Sequence, residues 1–88
     1  MVTVSLKNIS IDERTTISGD TYFVIRDNEN NQVYFCFQNK VKEGWEELVK
    51  NWRNIKEVEI EYTENERDFK VYRKVVSLYS PQTEDIFV

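Results

Sequence analysis

Carboxylates are the side chains of this sequence that could most readily perform chemistry. They recur at short intervals in its last third, at Glu59, Glu61, Glu64, Glu66 and Asp68. Such groups can act as acids or bases or bind a hard divalent cation, but acidic strands and loops are more often simply solvated. The chain has no histidine and one cysteine, Cys36, which excludes an imidazole base, a histidine-containing zinc site and a thiolate cluster. We therefore expect no catalytic residue, no metal site and no cofactor.

A second group of side chains suits nucleic acid. Tyr22, Arg26 and Tyr34 lie in the stretch 21–38, which is rich in Tyr, Phe, Val and Ile. A flat ring can stack on a base for about 1–3 kcal/mol, and an arginine can pair with a phosphate or stack as well. The same residues could instead form ordinary cross-strand contacts or the centre of a protein interface.

The densest basic stretch lies nearer the C-terminus, at Lys70, Arg73 and Lys74. Lysine and arginine neutralise phosphates, so we expect these residues to contact a nucleic-acid backbone. Arg73 and Lys74 point to opposite faces of a strand, so only one of them can join a given groove. Alternatively, this stretch only offsets the negative charge of the neighbouring acidic strand.

The charge of the chain is unevenly distributed. Residues 1–56 hold equal numbers of basic and acidic residues, whereas residues 57–88 hold four basic and eight acidic ones and carry the whole net charge of −4. An acidic chain is poorly suited to duplex DNA, because duplex affinity rests largely on Lys and Arg at phosphates. Single-strand binders add base stacking to a local basic groove, so an overall acidic protein can still bind a single strand.

The stretch 21–38 has the pattern of a β-hairpin around a polar turn at 27–31. Alternation places Phe23 and Ile25 on one side of the first arm, and the second arm contains an all-apolar row of Val33, Phe35 and Phe37. Burial favours large apolar side chains by about 1.5–3 kcal/mol each, so we expect these rows to be buried. The outer face would then carry Tyr22, Val24, Arg26, Tyr34, Cys36 and Gln38.

The remaining elements follow from periodicity. Alternation of apolar residues from Val2 slips by one residue at Asn8, which predicts a bulged or bent first strand. A polar turn is expected at 12–14, and a second strand from Thr15 through a bulge or corner at Gly19. Further strands are expected at 57–63 and 69–79, joined by a turn at 64–68. Helical spacing occurs once, over 41–55, with an apolar stripe of Val41, Trp45, Leu48, Val49, Trp52 and Ile55.

These elements predict a mainly β fold over residues 1–80, a small five-stranded barrel with one α-helix between strands three and four, and this arrangement resembles the OB fold. Closure would satisfy the strand edges, and Trp45, Leu48 and Trp52 would plug one end. Residues 81–88 would form a short acidic and hydrophobic tail.

The specific pattern is Gly19, Tyr22-Phe23, Arg26-Asp27 and the hydrophobic run 33–37. It resembles the anticodon-binding type of OB-fold domain and the N-terminal domain of exonuclease VII large subunits. The resemblance implies binding of single-stranded nucleic acid across the outer face of strands two and three, and it places Tyr22, Arg26 and Tyr34 there. The chain departs from that pattern after the helix, where it lacks a Gly-containing turn and where the loop between strands four and five is acidic.

The tail Glu84-Asp85-Ile86-Phe87-Val88 places acids before an apolar tip. In this it resembles the C-terminal peptide by which bacterial single-strand-binding proteins recruit partners; an extra edge strand or a subunit contact is the alternative. Its candidate protein-interaction residues are Asp85 and Phe87, and those of the acidic strand are Glu59 and Glu61.

Two functions are therefore open. The first is a non-enzymatic module that binds single-stranded DNA or RNA, with stacking residues and phosphate contacts at Tyr22, Tyr34, Arg26, Lys70, Arg73 and Lys74. The second is a protein-interaction module with the same face, as a complex subunit, a homodimer or an inhibitor that mimics nucleic-acid charge. No apolar run is long enough to span a bilayer and the N-terminus lacks a signal-peptide layout, so we expect a cytoplasmic protein with no membrane partner.

Overall fold

The alternating, β-prone segments of the sequence become strands. The computed structural model describes residues 1–81, which form β1 (Val2–Leu6), β2 (Ile9–Thr15), β3 (Thr21–Asp27), β4 (Gln32–Phe37), α1 (Trp45–Asn51), β5 (Val58–Arg67) and β6 (Lys70–Tyr79). The predicted mainly β class with one helix is confirmed for this part of the chain.

The six strands form one sheet in the order β1-β5-β6-β4-β3-β2. Neighbours are antiparallel except β4 and β6, which pair in parallel at Phe35 and Lys74. Among residues 1–81 no ladder joins β1 to β2, so the sheet is not closed into the predicted five-stranded barrel. Lys7 and Asn8 alone separate these two strands, and consecutive segments of one bent strand run end to end and do not pair side by side.

The bend at Asn8 explains the strand count. The predicted first strand divides there, so that β1 pairs with β5 and β2 pairs with β3 at opposite ends of the sheet. The predicted turn at 12–14 is wrong, because these residues belong to β2 and their backbone groups bond to β3. The turn comes instead at 16–20, where Gly19 has φ 92° and donates its N–H to the Thr16 carbonyl at 3.0 Å.

The turn between β3 and β4 is organised by Asp27, which is 2% exposed. Its carboxylate accepts hydrogen bonds from the Glu29 N–H at 3.1 Å and from Asn30 Nδ2 at 2.9 Å. Asn31 takes a left-handed conformation with φ 54°, which Asn tolerates well. The resulting turn of four residues sets Asp27 opposite Gln32.

This register decides which side chains of β4 are buried. It places Phe23 opposite Cys36 and Ile25 opposite Tyr34, and directly opposed residues point to the same side of a sheet. Tyr34 and Cys36 therefore face the core, where they are 1% and 0% exposed. The expectation that the row of Val33, Phe35 and Phe37 is buried is wrong, because a shift of one residue in register exchanges the two faces of a strand.

The short helix covers the core beside β3. Leu48 is fully buried, and Trp45 and Trp52 pack on Phe23 with ring centroids 5.3 and 6.1 Å away. These three residues therefore pack on the core, but they do not plug a closed barrel as predicted, because the sheet does not close within residues 1–81. Val49, by contrast, is 53% exposed and does not belong to the buried stripe.

The helix is shorter than the predicted 41–55 because the preceding segment pairs with β6. The Lys42 N–H donates to the Val76 carbonyl at 2.7 Å, and the Leu78 N–H donates to the Glu43 carbonyl at 2.9 Å. Gly44 then caps α1 with φ 96°, and a Cβ there would overlap the Leu78 carbonyl oxygen. The helix lies between β4 and β5, since division of the first strand adds one strand before it.

β5 and β6 form a long hairpin with a two-residue turn at Asp68 and Phe69. Both have positive φ, 53° and 65°, as a type I′ turn requires. The predicted turn at 64–68 is too long, since Glu64 and Glu66 lie in β5 and pair with β6. The strands twist at a bulge beside Tyr62, where the register shifts.

Candidate nucleic-acid interface

The outer face is the side of the sheet opposite the core. Phe23 and Ile25 of β3 are buried, so alternation turns Tyr22, Val24 and Arg26 outward. Across from these residues β4 contributes Phe37, Phe35 and Val33. β6 continues this face with Lys70, Tyr72 and Lys74.

Four rings cross the outer face in a continuous aromatic row of Tyr22, Phe37, Phe35 and Tyr72. Ring centroids are 5.3 Å apart for Tyr22 and Phe37, 6.1 Å for Phe37 and Phe35, and 6.3 Å for Phe35 and Tyr72. The first two contacts are stacked, with interplanar angles of 28° and 12°. These distances are within the range of about 4.5–7 Å that aromatic pairs prefer, so each ring helps to fix its neighbour.

The rings of the aromatic row are only partly buried. Part of each ring is therefore accessible to a ligand, whereas Val24 opposite Phe35 is 2% exposed. Apolar surface left in water forgoes about 25 cal/mol per Å², and contiguous apolar surface on a monomer often marks a binding site. The aromatic row is therefore the candidate binding surface of the outer face.

Cations lie on both sides of the aromatic row. On one side, Arg26 is exposed opposite Val33, and Arg14 lies opposite Tyr22 with its Nη2 3.8 Å from Asp12 Oδ2. On the other side, Lys74 pairs with Phe35 across the parallel junction of β4 and β6. Lys70 lies two residues before Tyr72 on the same side of β6.

A cavity of about 320 Å³ adjoins Lys74 and is called here the lysine pocket. Its lining consists of Met1, Lys40, Lys42, Thr63, Asn65, Lys74 and Val76. The backbone N–H of Lys40 donates to the Phe37 carbonyl at 2.9 Å, and that of Lys42 donates to the Val76 carbonyl. These hydrogen bonds fix the backbone of both lysines in the segment that follows β4. Within residues 1–81, no carboxylate lines the pocket and none of its three lysines forms an ion pair.

Tyr34, predicted to stack a base, lies in the core. Its ring meets the Tyr62 ring edge-on at 5.0 Å, and its hydroxyl donates to Gln32 Oε1 at 3.1 Å. Burial, and secondly the neighbouring Tyr62, raise the pKa of the Tyr34 phenol above its ordinary value of 10.0. A base cannot reach this ring, so the expected position of Tyr34 on the outer face is wrong.

Arg73, predicted to contact phosphate, also turns away from the aromatic row. Its Nε lies 3.6 Å from Glu64 Oε1, and its guanidinium lies over the Tyr34 ring, 5.9 Å from the centroid. Of the two adjacent cations, Lys74 therefore joins the outer face and Arg73 does not. Tyr22, Arg26, Lys70 and Lys74 are the predicted residues that the structure brings to this face.

Six residues of the interface were not predicted, namely Arg14, Phe35, Phe37, Tyr72, Lys40 and Lys42. The turn of four residues between Asp27 and Gln32 is the signal that could have revealed the two phenylalanines, because it fixes the register of the hairpin. The position of Lys40 and Lys42 beside Lys74 depends on the long-range parallel pairing of β4 with β6. A local sequence pattern does not indicate such a pairing.

The acidic candidates Glu59 and Glu61 lie on β5, on the same side of the sheet as Thr63. Glu59 is exposed opposite Tyr79, and Glu61 Oε1 accepts a hydrogen bond from Ser77 Oγ at 3.3 Å. Thr63, two residues after Glu61 on that side of β5, lines the lysine pocket. The other candidates for protein interaction, Asp85 and Phe87, lie outside the described residues.

Other chemistry has little support in the described chain. Cys36 is 0% exposed and burial strongly raises the pKa of its thiol, which keeps it in the unreactive protonated form. Residues 1–81 contain no group of three or more Cys, Asp or Glu side chains placed to hold a metal ion. Over the same residues, no helix has the length and apolar character needed to cross a membrane.

The chain was compared with protein-family models, with curated proteins and with solved structures, and none of the three comparisons finds a match. A function therefore has to rest on the chemistry of the outer face.

Proposed function

We propose that the chain is a non-enzymatic module that binds single-stranded nucleic acid across its outer face. The observation that carries the proposal is the aromatic row, Tyr22-Phe37-Phe35-Tyr72, with cations on both sides. Each partly exposed ring can stack one base for about 1–3 kcal/mol, and stacking does not require a particular base because every base has a π-face. Arg26, Lys70 and Lys74 would contact the phosphates.

A single strand fits this surface better than a duplex. The bases of a duplex are stacked on each other and cannot reach side-chain rings without costly extrusion. The chain as a whole is acidic, but Arg26, Lys70 and Lys74 lie on the outer face beside the aromatic row. Stacking supplemented by a few phosphate contacts suits a chain of this charge.

The strand order supports an OB-type architecture. If β1 and β2 are counted as one bent strand, the chain has five strands, the helix follows the third, and β3 and β4 become strands two and three. An OB fold is a partly open five-stranded barrel that binds oligonucleotides on the face of strands two and three. Three of the four rings of the aromatic row lie on these two strands.

A protein partner is the second candidate function. It is favoured by the apolar outer side of β4, where Val33, Phe35 and Phe37 follow one another without a charge. Aromatic residues are enriched at the centres of protein interfaces, where charged residues are depleted. The two functions differ in salt response, because added counterions weaken phosphate binding strongly and an aromatic protein interface only slightly.

The decisive variant removes two stacked rings. Tyr22→Ala combined with Phe37→Ala is expected to lower the affinity for a fluorescein-labelled oligothymidylate by about 30-fold or more, which corresponds to two stacking contacts of about 1 kcal/mol or more each. The measurement is an anisotropy titration at low salt, with the circular dichroism spectrum and melting temperature of each variant as the check on folding. Tyr79→Ala is the matched control, because it removes a tyrosine of β6 that lies outside the aromatic row. Unchanged affinity in a folded double variant would contradict the proposal.

A further inference from the structure

We propose that the lysine pocket binds the terminal phosphate of the nucleic-acid strand, so that the module anchors one end of its ligand. This inference rests on the proposed function. Its starting point is the collection of three lysines around one cavity of about 320 Å³ that no carboxylate lines among residues 1–81. Lys40, Lys42 and Lys74 concentrate positive charge at this cavity, and such a group of cations attracts an anion.

The charge of the pocket suits a terminal phosphate better than an internal one. An internal phosphodiester carries a single negative charge, whereas a phosphate monoester carries about −1.5 to −2 at neutral pH and offers three acceptor oxygens. The three ammonium groups equal the three acceptor oxygens of the monoester in number. The hydroxyl of Thr63 and the side-chain amide of Asn65, both in the pocket lining, can donate further hydrogen bonds.

The pocket adjoins the aromatic row beside Phe35. Lys74 belongs to the pocket and also pairs with Phe35, the third ring of the row. A strand that stacks on Tyr22, Phe37 and Phe35 would therefore bring its next phosphate to the pocket.

The surface beyond the pocket is unfavourable for a continuing strand. Glu59 and Glu61 lie there on β5, on the side of the sheet that faces the ligand, and Glu59 is exposed. Carboxylates repel a phosphate chain, so the favourable path across this part of the face stops at the lysines. The lysine pocket is therefore placed to hold the last phosphate of a strand.

The test compares oligothymidylates of one length that carry a 5′-phosphate, a 3′-phosphate or hydroxyls at both ends. A phosphate at one of the two ends is expected to raise the affinity of the wild-type protein by about five- to tenfold at low salt. Lys40→Met combined with Lys42→Met is expected to reduce that ratio to about one. Lys50→Met, which removes an exposed lysine of α1 outside the pocket, should retain the ratio, and melting curves check the folding of each variant.

Each other outcome overturns the inference in a recognisable way. Equal affinity for all three oligonucleotides, with binding still dependent on the aromatic row, would overturn the terminal-phosphate site and leave the proposed function standing. A phosphate preference that survives in the Lys40→Met, Lys42→Met variant would place the phosphate site elsewhere. No binding of any oligonucleotide would overturn both proposals.

Discussion

Tyr22 and Tyr34 show how one residue type takes two roles in neighbouring strands. Tyr22 lies on the outer face in stacking contact with Phe37, whereas Tyr34 is buried against Tyr62. The buried phenol is tolerated because its hydroxyl donates to Gln32. Residue type alone suggested the same role for both, and only the register of the hairpin separates them.

Tyr34→Phe is therefore expected to affect stability and not binding. Loss of the hydrogen bond to Gln32 should lower the free energy of unfolding by about 0.5–1.5 kcal/mol, as measured by urea denaturation. Affinity for oligothymidylate should stay within twofold of wild type, about 0.4 kcal/mol. A loss comparable to that of the Tyr22 and Phe37 variant would mean that Tyr34 reaches the ligand.

Because of Cys36, we expect the free energy of unfolding to depend on pH in the alkaline range. The unfolded chain releases the thiol proton near the ordinary value of 9.0, whereas burial raises the pKa of the folded thiol well above it. The unfolded state then binds fewer protons, so the free energy of unfolding should fall by about 1.4 kcal/mol per pH unit above pH 9. The phenol of Tyr34, whose pKa is also raised, should add to the slope above 10.0.

Urea denaturation between about pH 8 and 10.5 measures this dependence across both ordinary pKa values. Cys36→Val is the control, because it keeps an apolar side chain of similar size and removes the titrating thiol. It should lose the part of the slope between pH 9 and 10. A wild-type slope equal to that of Cys36→Val would contradict the assignment.

Among the secondary-structure elements, α1 approaches β6 closely at its N-cap residue, Gly44. Its φ of 96° is unfavourable for any L-residue with a Cβ, and that Cβ would also overlap the Leu78 carbonyl. Gly44→Ala should lower the free energy of unfolding by about 2–4 kcal/mol through backbone strain and overpacking together.

Gly19 supplies the matched control for Gly44. It has a similar φ of 92°, but nothing lies within 4 Å of a Cβ placed there. Gly19→Ala should therefore lower the free energy of unfolding by about 1 kcal/mol, through backbone strain alone. Equal losses of stability in urea denaturation of the two variants would show that Gly44 is not in close contact with β6.

The tip of the β5–β6 hairpin carries strain that can be relieved. Phe69 is fully exposed and held at φ 65°, in a two-residue turn for which Asp-Gly is among the preferred sequences. Phe69→Gly should raise the free energy of unfolding by about 0.5–1.5 kcal/mol. Phe69→Ala should give no such gain, because alanine keeps the Cβ that disfavours positive φ. A gain with alanine as large as with glycine would exclude strain as the cause.

The elements were predicted unevenly, for physical reasons. The strands and the packing of Trp45, Leu48 and Trp52 follow from local periodicity, and so does the bend at Asn8. The start of the helix could not be predicted, because pairing of residues 42 and 43 with β6 competes with helix formation. The turn at 12–14 was wrongly predicted, since an edge strand can keep its backbone bonds while its side chains are polar.

For the whole molecule, the charge distribution in space differs from that along the sequence. The net charge of −4 belongs to the last third of the sequence, yet the described chain gathers Arg14, Arg26, Lys40, Lys42 and Lys74 around the aromatic row. Those residues come from four different segments, and only the sheet order β6-β4-β3-β2 brings them together. This is why four of the six predicted residues, Tyr22, Arg26, Lys70 and Lys74, lie on the outer face as expected, whereas the aromatic row as a whole was not predicted.

The most direct test of the central claim is the affinity of the wild-type protein for an oligothymidylate at about 50 and 200 mM salt, measured by fluorescence anisotropy. With about three phosphates neutralised, the affinity should fall about 10- to 20-fold between the two conditions. Absence of binding at micromolar protein concentration would contradict the claim, as would binding that does not change with salt. Absence of binding would favour a protein partner for the aromatic row.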